Sequence, residues 1–211
     1  MAQIGVPVPD GALARNVAEA DAIAERIGFP AVIKAQSAAL SHKSDLGGVI
    51  LDVRDAEALR AAWESITSKV SAVAPRLVLD GMLIEKMARK GIELIVGAHR
   101  DPEWGHVLLV GLGGILTEAI GDTRLLMPDV SCDEAAEEIM RLKGAKLFRG
   151  FREMPPLDVA AAARIISLVG AFARGNPQVR ELDINPLIVY PEGKGAVALD
   201  ALVVLDAPEK F

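Results

Sequence analysis

Only one cysteine, Cys132, occurs in the 211 residues, which excludes an internal disulfide and any metal site built from several cysteines. A reducing cytoplasm is the natural setting for such a chain. No apolar run is long enough to span a membrane: the longest candidate, His106 to Ile120, is short, holds three glycines and contains Glu118. No leader of basic, apolar and small residues opens the sequence, so export is not expected. Basic charge is also short, with 23 lysines and arginines against 29 acidic residues and a net charge of −6. That balance argues against non-specific nucleic-acid binding, which needs clustered lysine and arginine. If the chain handles phosphate, it does so with a few placed cations and metal ions. Familiar catalytic signatures are missing as well. There is no Walker pattern and no Gly-x-Ser-x-Gly elbow, and Leu116 spoils a Gly-x-Gly-x-x-Gly run that begins at Gly111 and Gly113.

What is present suffices for one large domain or two small lobes with a real core. Asn16 to Glu19 reads as a capping box opening a helix that ends at Gly28, with Val17, Ala20, Ile23, Ala24 and Ile27 on its buried face. Ala31 to Lys34 and Gly47 to Val53 read as strands, and Asp55 caps a helix striped with Leu59, Trp63, Ile66 and Val70. Met82 to Met87 and Glu93 to Ala98 read as two strands around a glycine turn at Gly91. A buried strand from Val107 to Val110 then leads into Gly111 to Gly114, a tight loop that serves packing. Two helices follow, one started by the Ser131 to Glu134 capping box and one by Asp158. Helices and strands mix without strict alternation, which makes the fold class α+β.

The segment Glu181-Leu182-Asp183-Ile184-Asn185-Pro186-Leu187 stands out. As a strand it points Glu181, Asp183 and Asn185 to one face and Leu182 and Ile184 to the other. Oxygen-bearing side chains in such a row suit a hard cation such as Mg²⁺. Folding this run against Ala196 to Leu205 with Val189 opposite Ala196 sets Asn185 opposite Asp200, near enough to share one ion. Pro186 requires that the strand lie at an edge or carry a bulge. A solvated polar face on an ordinary hairpin fits the same spacing.

Three other features bear on chemistry. Lys34 ends a buried strand, where a lysine either snorkels to the surface or meets an anion. In Ser41-His42-Lys43-Ser44-Asp45-Leu46-Gly47-Gly48, the two glycines let backbone N–H groups approach a phosphate. Lys43 and Ser44 add a cation and a hydroxyl there, and His42 can act as a nucleophile or phosphoryl carrier. A polar turn with His42 merely exposed is the plainer account. His99 and His106 lack neighbours at zinc-ligand spacing and read as surface histidines.

Together these segments resemble an ATP-grasp domain, specifically that of the ADP-forming acyl-CoA (acetyl-CoA) synthetases, relatives of the succinyl-CoA synthetase β subunit. The resemblance rests on Gly5 to Pro9, Gly28 to Lys34, His42 to Val49, Glu93 to Gly97, Gly111 to Gly114, Arg149 to Arg152, Glu181 to Leu187 and Leu199 to Ala201, in order along nearly the whole chain. It implies one domain of two α/β lobes, about 10–86 and 87–211, with the nucleotide cleft between them. ATP or ADP and Mg²⁺ are the implied ligands. Lys34, with Lys43, Gly47 and Gly48, would meet the phosphates, while Glu85, Lys86 and Met87 would hold adenine, partly through backbone groups. Glu93 would accept from the ribose hydroxyls. Asn185 and Asp200 would carry the metal, and Asp183 would help position a phosphohistidine. His42 would relay phosphate to a second histidine on a CoA-binding partner subunit or domain. No CoA-binding domain and no partner phosphohistidine motif occur in these residues, and the helix that usually precedes the Gly5 to Pro9 segment is absent. The chain is therefore expected to be a subunit, or a domain of a fused protein. No nucleic-acid or membrane partner is expected. The alternative is a regulatory nucleotide-binding module of a protein acetyltransferase fusion. Against that alternative, His42, Lys34, Glu93, Asn185 and Asp200 are all retained.

Overall fold

Asn16 starts the first helix as its sequence implies: its side chain accepts the Glu19 N–H at 2.9 Å, while the Glu19 carboxylate accepts the Arg15 N–H and the Asn16 side-chain amide. In the computed structural model, which describes residues 1–37, 46–114 and 121–206, this helix belongs to a compact unit spanning Pro9–Arg89. Its elements are β1 (Gly11–Ala14), α1 (Val17–Ile27), β2 (Ala31–Gln36), β3 (Val49–Val53), α2 (Ala56–Val73) and β4 (Gly81–Lys86). The strands form one antiparallel sheet in the order β1-β4-β2-β3. Asp55 caps α2 by accepting the Ala58 N–H at 2.8 Å. The apolar stripes of α1 and α2 pack on Ala14, Ala31, Ile33, Ala35, Met82 and Ile84. By strand alternation, Val32, Lys34, Leu83 and Glu85 belong to the other face.

The second unit joins Met1–Val8 to the chain from Lys90 onward. It holds β5 (Ile92–Asp101), β6 (Gly105–Leu112), β7 (Thr123–Leu126), α3 (Cys132–Ile139), α4 (Val159–Gly175), β8 (Val179–Val189), β9 (Ala196–Ala198) and β10 (Ala201–Leu205). Its antiparallel sheet runs β10-β8-β5-β6-β7, with β9 also paired to β8. Ser131 and Glu134 form the capping box of α3, and Asp158 caps α4 while also accepting the Gly195 N–H at 2.9 Å. Leu94, Val96, Leu108, Val110, Leu182 and Ile184 point into the core under these helices. The alternating set, including Glu93, Gly97, His99, Val107, Leu109, Glu181, Asp183 and Asn185, lines the face away from them. Two antiparallel sheets, each with helices packed on it, are the α+β arrangement that the sequence implies. No helix among the described residues is long and apolar enough to cross a membrane.

The structure corrects the expectation of a glycine turn between β4 and β5. These strands lie in different sheets. Both edges of β4 are taken by β1 and β2, and both edges of β5 by β6 and β8, so neither can pair with the other. Gly91 is required for another reason: a Cβ there would sit 2.6 Å from the Val189 carbonyl oxygen and from Ile188.

Candidate functional site

Strand β8 places the oxygen-bearing row. Val189 faces Ala196 and Ile184 faces Ala201, so a single register runs through both pairings and brings Asp200 opposite Asn185. The Asn185 N–H donates to the Asp200 carbonyl at 3.2 Å, and the Leu199 N–H donates to Pro186 at 3.0 Å. Of the two possibilities raised by Pro186, the bulge is realised. Strand β8 is internal, and its pairing with β5 slips between Leu94 and Val96, opposite Ile184 to Leu187. Leu182 and Ile184 are fully buried, while Glu181 and Asn185 are exposed and Asp183 is half-buried.

The electrostatics of this row are one-sided. Partial burial first, then the nearby Glu181 and Asp200 charges, hold the Asp183 carboxyl above the usual carboxylate range. Gly97 lies across from Asp183, and a Cβ there would approach the carboxylate at 3.8 Å. Asp200 uses one oxygen to accept the Ala201 N–H at 3.0 Å. Among the described residues, no group of three or more His, Cys, Asp or Glu side chains is arranged to hold a metal alone. One amide oxygen and one carboxylate, beside further negative charge, fit a hard cation that takes its other ligands from water and phosphate. Mg²⁺ binds in that way.

In the smaller unit, Lys34 and Glu85 form a buried ion pair on the sheet face away from the helices. Lys34 Nζ lies 2.6 Å from Glu85 Oε2, and the residues are 8% and 7% exposed. Glu85 Oε2 has this ammonium beside it but no aligned hydrogen bond. Lys34 therefore meets an anion, one of the two options open to it in the sequence. The Lys86 ammonium donates to the Phe29 carbonyl at 2.7 Å. Backbone amides in the segment are committed: Lys86 N–H donates to Asp10 at 2.8 Å and Met87 N–H to Pro30 at 3.1 Å. A ligand edge at these two residues would meet carbonyl groups rather than free amide donors.

Glu93 sits on β5 in contact with the glycine turn that ends β6. The Gly113 N–H donates to the Glu93 carbonyl at 2.7 Å, and a Cβ on Gly114, whose φ is +70°, would lie 2.9 Å from the Glu93 carboxylate. These glycines serve close packing, as their sequence suggests. Gly47 has φ +65°, with Lys69 against it, and the Gly48 carbonyl accepts the Ala35 N–H at 2.7 Å. His42 and Lys43 lie outside the described residues.

Sequence reading missed two polar groups. His106 is buried, contrary to the surface position expected for it, and its Nε2–H donates to the Val179 carbonyl at 2.7 Å. Its phase with Leu108, Val110 and Leu112 on β6 was the available signal. Asp122 is also buried, and its carboxylate accepts the Lys143 and Gly144 N–H groups, each at 2.8 Å. No local pattern marks it.

Comparison with known proteins adds identity to this geometry. A model of the ATP-grasp domain matches residues 1–205. The chain is 44% identical over 203 residues to a trans-feruloyl-CoA synthase from an unknown prokaryotic organism, covering 96% of this chain and 29% of that protein. It is 36% identical over 201 residues to the beta subunit of acetate–CoA ligase (ADP-forming) I of Pyrococcus furiosus, covering 95% of this chain and 86% of the subunit. Among solved structures, a dinucleotide-forming acetyl-coenzyme A synthetase 1 of Candidatus Korarchaeum cryptofilum, in complex with coenzyme A, Ca-AMPCP and HgCl⁺, superposes with a TM-score of 0.93. It is 36% identical over 97% of this chain and 89% of that one. The same synthetase with coenzyme A and Mg-AMPPCP superposes at 0.81, with 33% identity over 97% of this chain and 88% of that one. The chain thus spans less than a third of the feruloyl-CoA synthase and most of the Pyrococcus subunit.

Proposed function

The chain belongs to the ATP-grasp domain family, and from that premise we propose that it is the nucleotide-handling part of an ADP-forming acyl-CoA synthetase. The overall reaction is acyl-CoA + ADP + phosphate ⇌ carboxylate + CoA + ATP, completed by a CoA-binding partner subunit or domain. The two units act as the lobes of one ATP-grasp domain in the cytoplasm. The observation that carries this reading is the register setting Asn185 opposite Asp200, beside a half-buried Asp183 whose acidic neighbours are Glu181 and that same Asp200.

Each unit contributes a distinct part. From the smaller, Lys34 offsets phosphate charge once a nucleotide competes with Glu85 for its ammonium, and Lys43, Gly47 and Gly48 add cation and backbone contacts. Glu85 and the carbonyls of Lys86 and Met87 accept from the amino edge of adenine. From the larger, Glu93 accepts from the ribose and Asn185 with Asp200 holds Mg²⁺, which offsets phosphate charge when bound. A histidine imidazole attacks the γ-phosphorus of ATP. The bond to the β–γ bridging oxygen breaks, ADP leaves, and the other imidazole nitrogen gives up its proton. Asp183 helps position the phosphohistidine. His42 is the first carrier, and a second histidine on the partner receives the phosphoryl group from it.

The test is phosphoryl labelling in the complex of this chain with its CoA-binding partner, Mg²⁺ and γ-labelled ATP. Acid-labile phosphate on His42, lost in a His42→Ala variant together with partner labelling, supports the relay. Full partner labelling with His42→Ala overturns it.

A further inference from the structure

Asp122 is a buried acid of the larger unit that none of these roles uses. It is 4% exposed, and its two carboxylate oxygens are divided between the Lys143 and Gly144 N–H groups. Its backbone is fixed by the sheet: Thr123, the next residue, pairs with Gly111, and a Cβ on Gly111 would lie 2.8 Å from the Asp122 carbonyl oxygen. From this acid a series of close contacts leads to Glu93. The Lys143–Gly144 turn has no room for a further side chain, because a Cβ on Gly144 would collide with Leu112 Cδ1 and approach the Asp122 carboxylate at 3.6 Å. The Leu112 N–H donates to the Asp122 carbonyl at 3.4 Å, and one residue on the Gly113 N–H donates to the Glu93 carbonyl. A Cβ on Gly113 would lie 2.7 Å from the Glu93 Cβ, and Gly114 packs under the Glu93 carboxylate. Among the described residues no hydrogen bond or ion pair fixes that carboxylate, so packing on the glycine turn aims it.

We propose that Asp122 is a positioning residue for nucleotide binding: by pinning the Lys143–Gly144 turn against Leu112, it sets the glycine turn on which the Glu93 carboxylate rests. This rests on the ribose role proposed for Glu93 above. One carboxylate satisfies both buried N–H groups, which no other side chain of this size does. An amide at position 122 keeps one acceptor and turns a donor toward the second N–H, so the turn must shift to relieve the mismatch. Close-packed interiors pass such a shift on instead of absorbing it, and the next atoms in line are those of Leu112, Gly113 and Gly114. A carboxylate that accepts from ribose hydroxyls makes charge-assisted bonds, and these are lost when its oxygens are displaced. Asp122 acts only through Glu93, so its loss is felt by a nucleotide that carries ribose hydroxyls and not by one without them.

The experiment compares calorimetric affinities for ATP and for 2′,3′-dideoxy-ATP, each with Mg²⁺, in wild type, Asp122→Asn, Glu93→Ala and the double variant. Asp122→Asn should weaken ATP at least about fivefold and dideoxy-ATP less than about twofold. The double variant should bind ATP as Glu93→Ala alone does, because both substitutions remove the same contact. Gly144→Ala drives a methyl group against Leu112 while leaving the acid at position 122. It should reproduce the selective loss, and it carries the test if Asp122→Asn does not fold. Equal weakening of both nucleotides, an unchanged ATP affinity, or additive losses in the double variant would overturn the proposal and leave Asp122 a purely structural acid. A Glu93→Ala variant that binds ATP as tightly as wild type overturns the ribose role of Glu93, and the proposal with it.

Discussion

The two charged sites of the molecule differ in who balances the charge. In the smaller unit, the Glu85 carboxylate and the Lys34 ammonium lie 2.6 Å apart, each more than nine-tenths buried. In the larger unit, Glu181 and Asp183 have no basic partner among the described residues, and Asp200 adds to their field. The first site is compensated within the fold, so each ion offsets the cost of burying the other. The second leaves negative charge on a half-open face, where the fold gains nothing from it. Such a concentration of carboxylates supports the proposed cation-dependent site.

The contrast breaks most sharply at Glu85. Glu85→Ala removes the carboxylate that lies 2.6 Å from a buried ammonium and should destabilise the protein by about 3 kcal/mol, read as a shift in denaturant midpoint. A loss below about 1 kcal/mol would mean that the pair is not a structural element. Asp122 sharpens the comparison, because it is a buried acid compensated by backbone amides instead of an ammonium. Asp122→Ala should cost about 2–3 kcal/mol in the same measurement by freeing the Lys143 and Gly144 N–H groups. The Ser131 cap is the control for an exposed polar contact, and Ser131→Ala should cost about 1 kcal/mol.

Asp183 should show the smallest effect and the opposite sign. Its folded-state pKa is raised, so its contribution to stability is full below the unfolded carboxylate pKa and is lost as pH rises through the folded value. Asp183→Asn removes that loss. The variant should melt at or above the wild-type temperature at pH 7, and the gap should close below about pH 4. A lower Tm for the variant at pH 7 would show that Asp183 is a structural acid like Glu85.

Much of this was legible from local pattern. The oxygen row on β8, its register against Asp200 and the disturbance at Pro186 all follow from period-two alternation and the missing proline N–H. Helix starts at Asn16, Asp55, Ser131 and Asp158 were marked by capping side chains. Strands β1 and β7 were not legible: Gly11–Ala14 contains no β-branched residue, and each is only four residues long. The Lys34–Glu85 pair depends on β2 meeting β4 across some fifty residues of chain, which no local spacing records. Asp122 was hidden for the same reason, since its partners lie more than twenty residues away in a turn.

Calorimetric titration of ATP into the protein with and without Mg²⁺, for wild type and for Asn185→Ala with Asp200→Ala, tests the proposed Mg²⁺ site most directly. The account predicts that Mg²⁺ tightens binding at least about tenfold in wild type and has little effect in the double variant, while metal-free affinities agree. A double variant that keeps the full Mg²⁺ effect would contradict it.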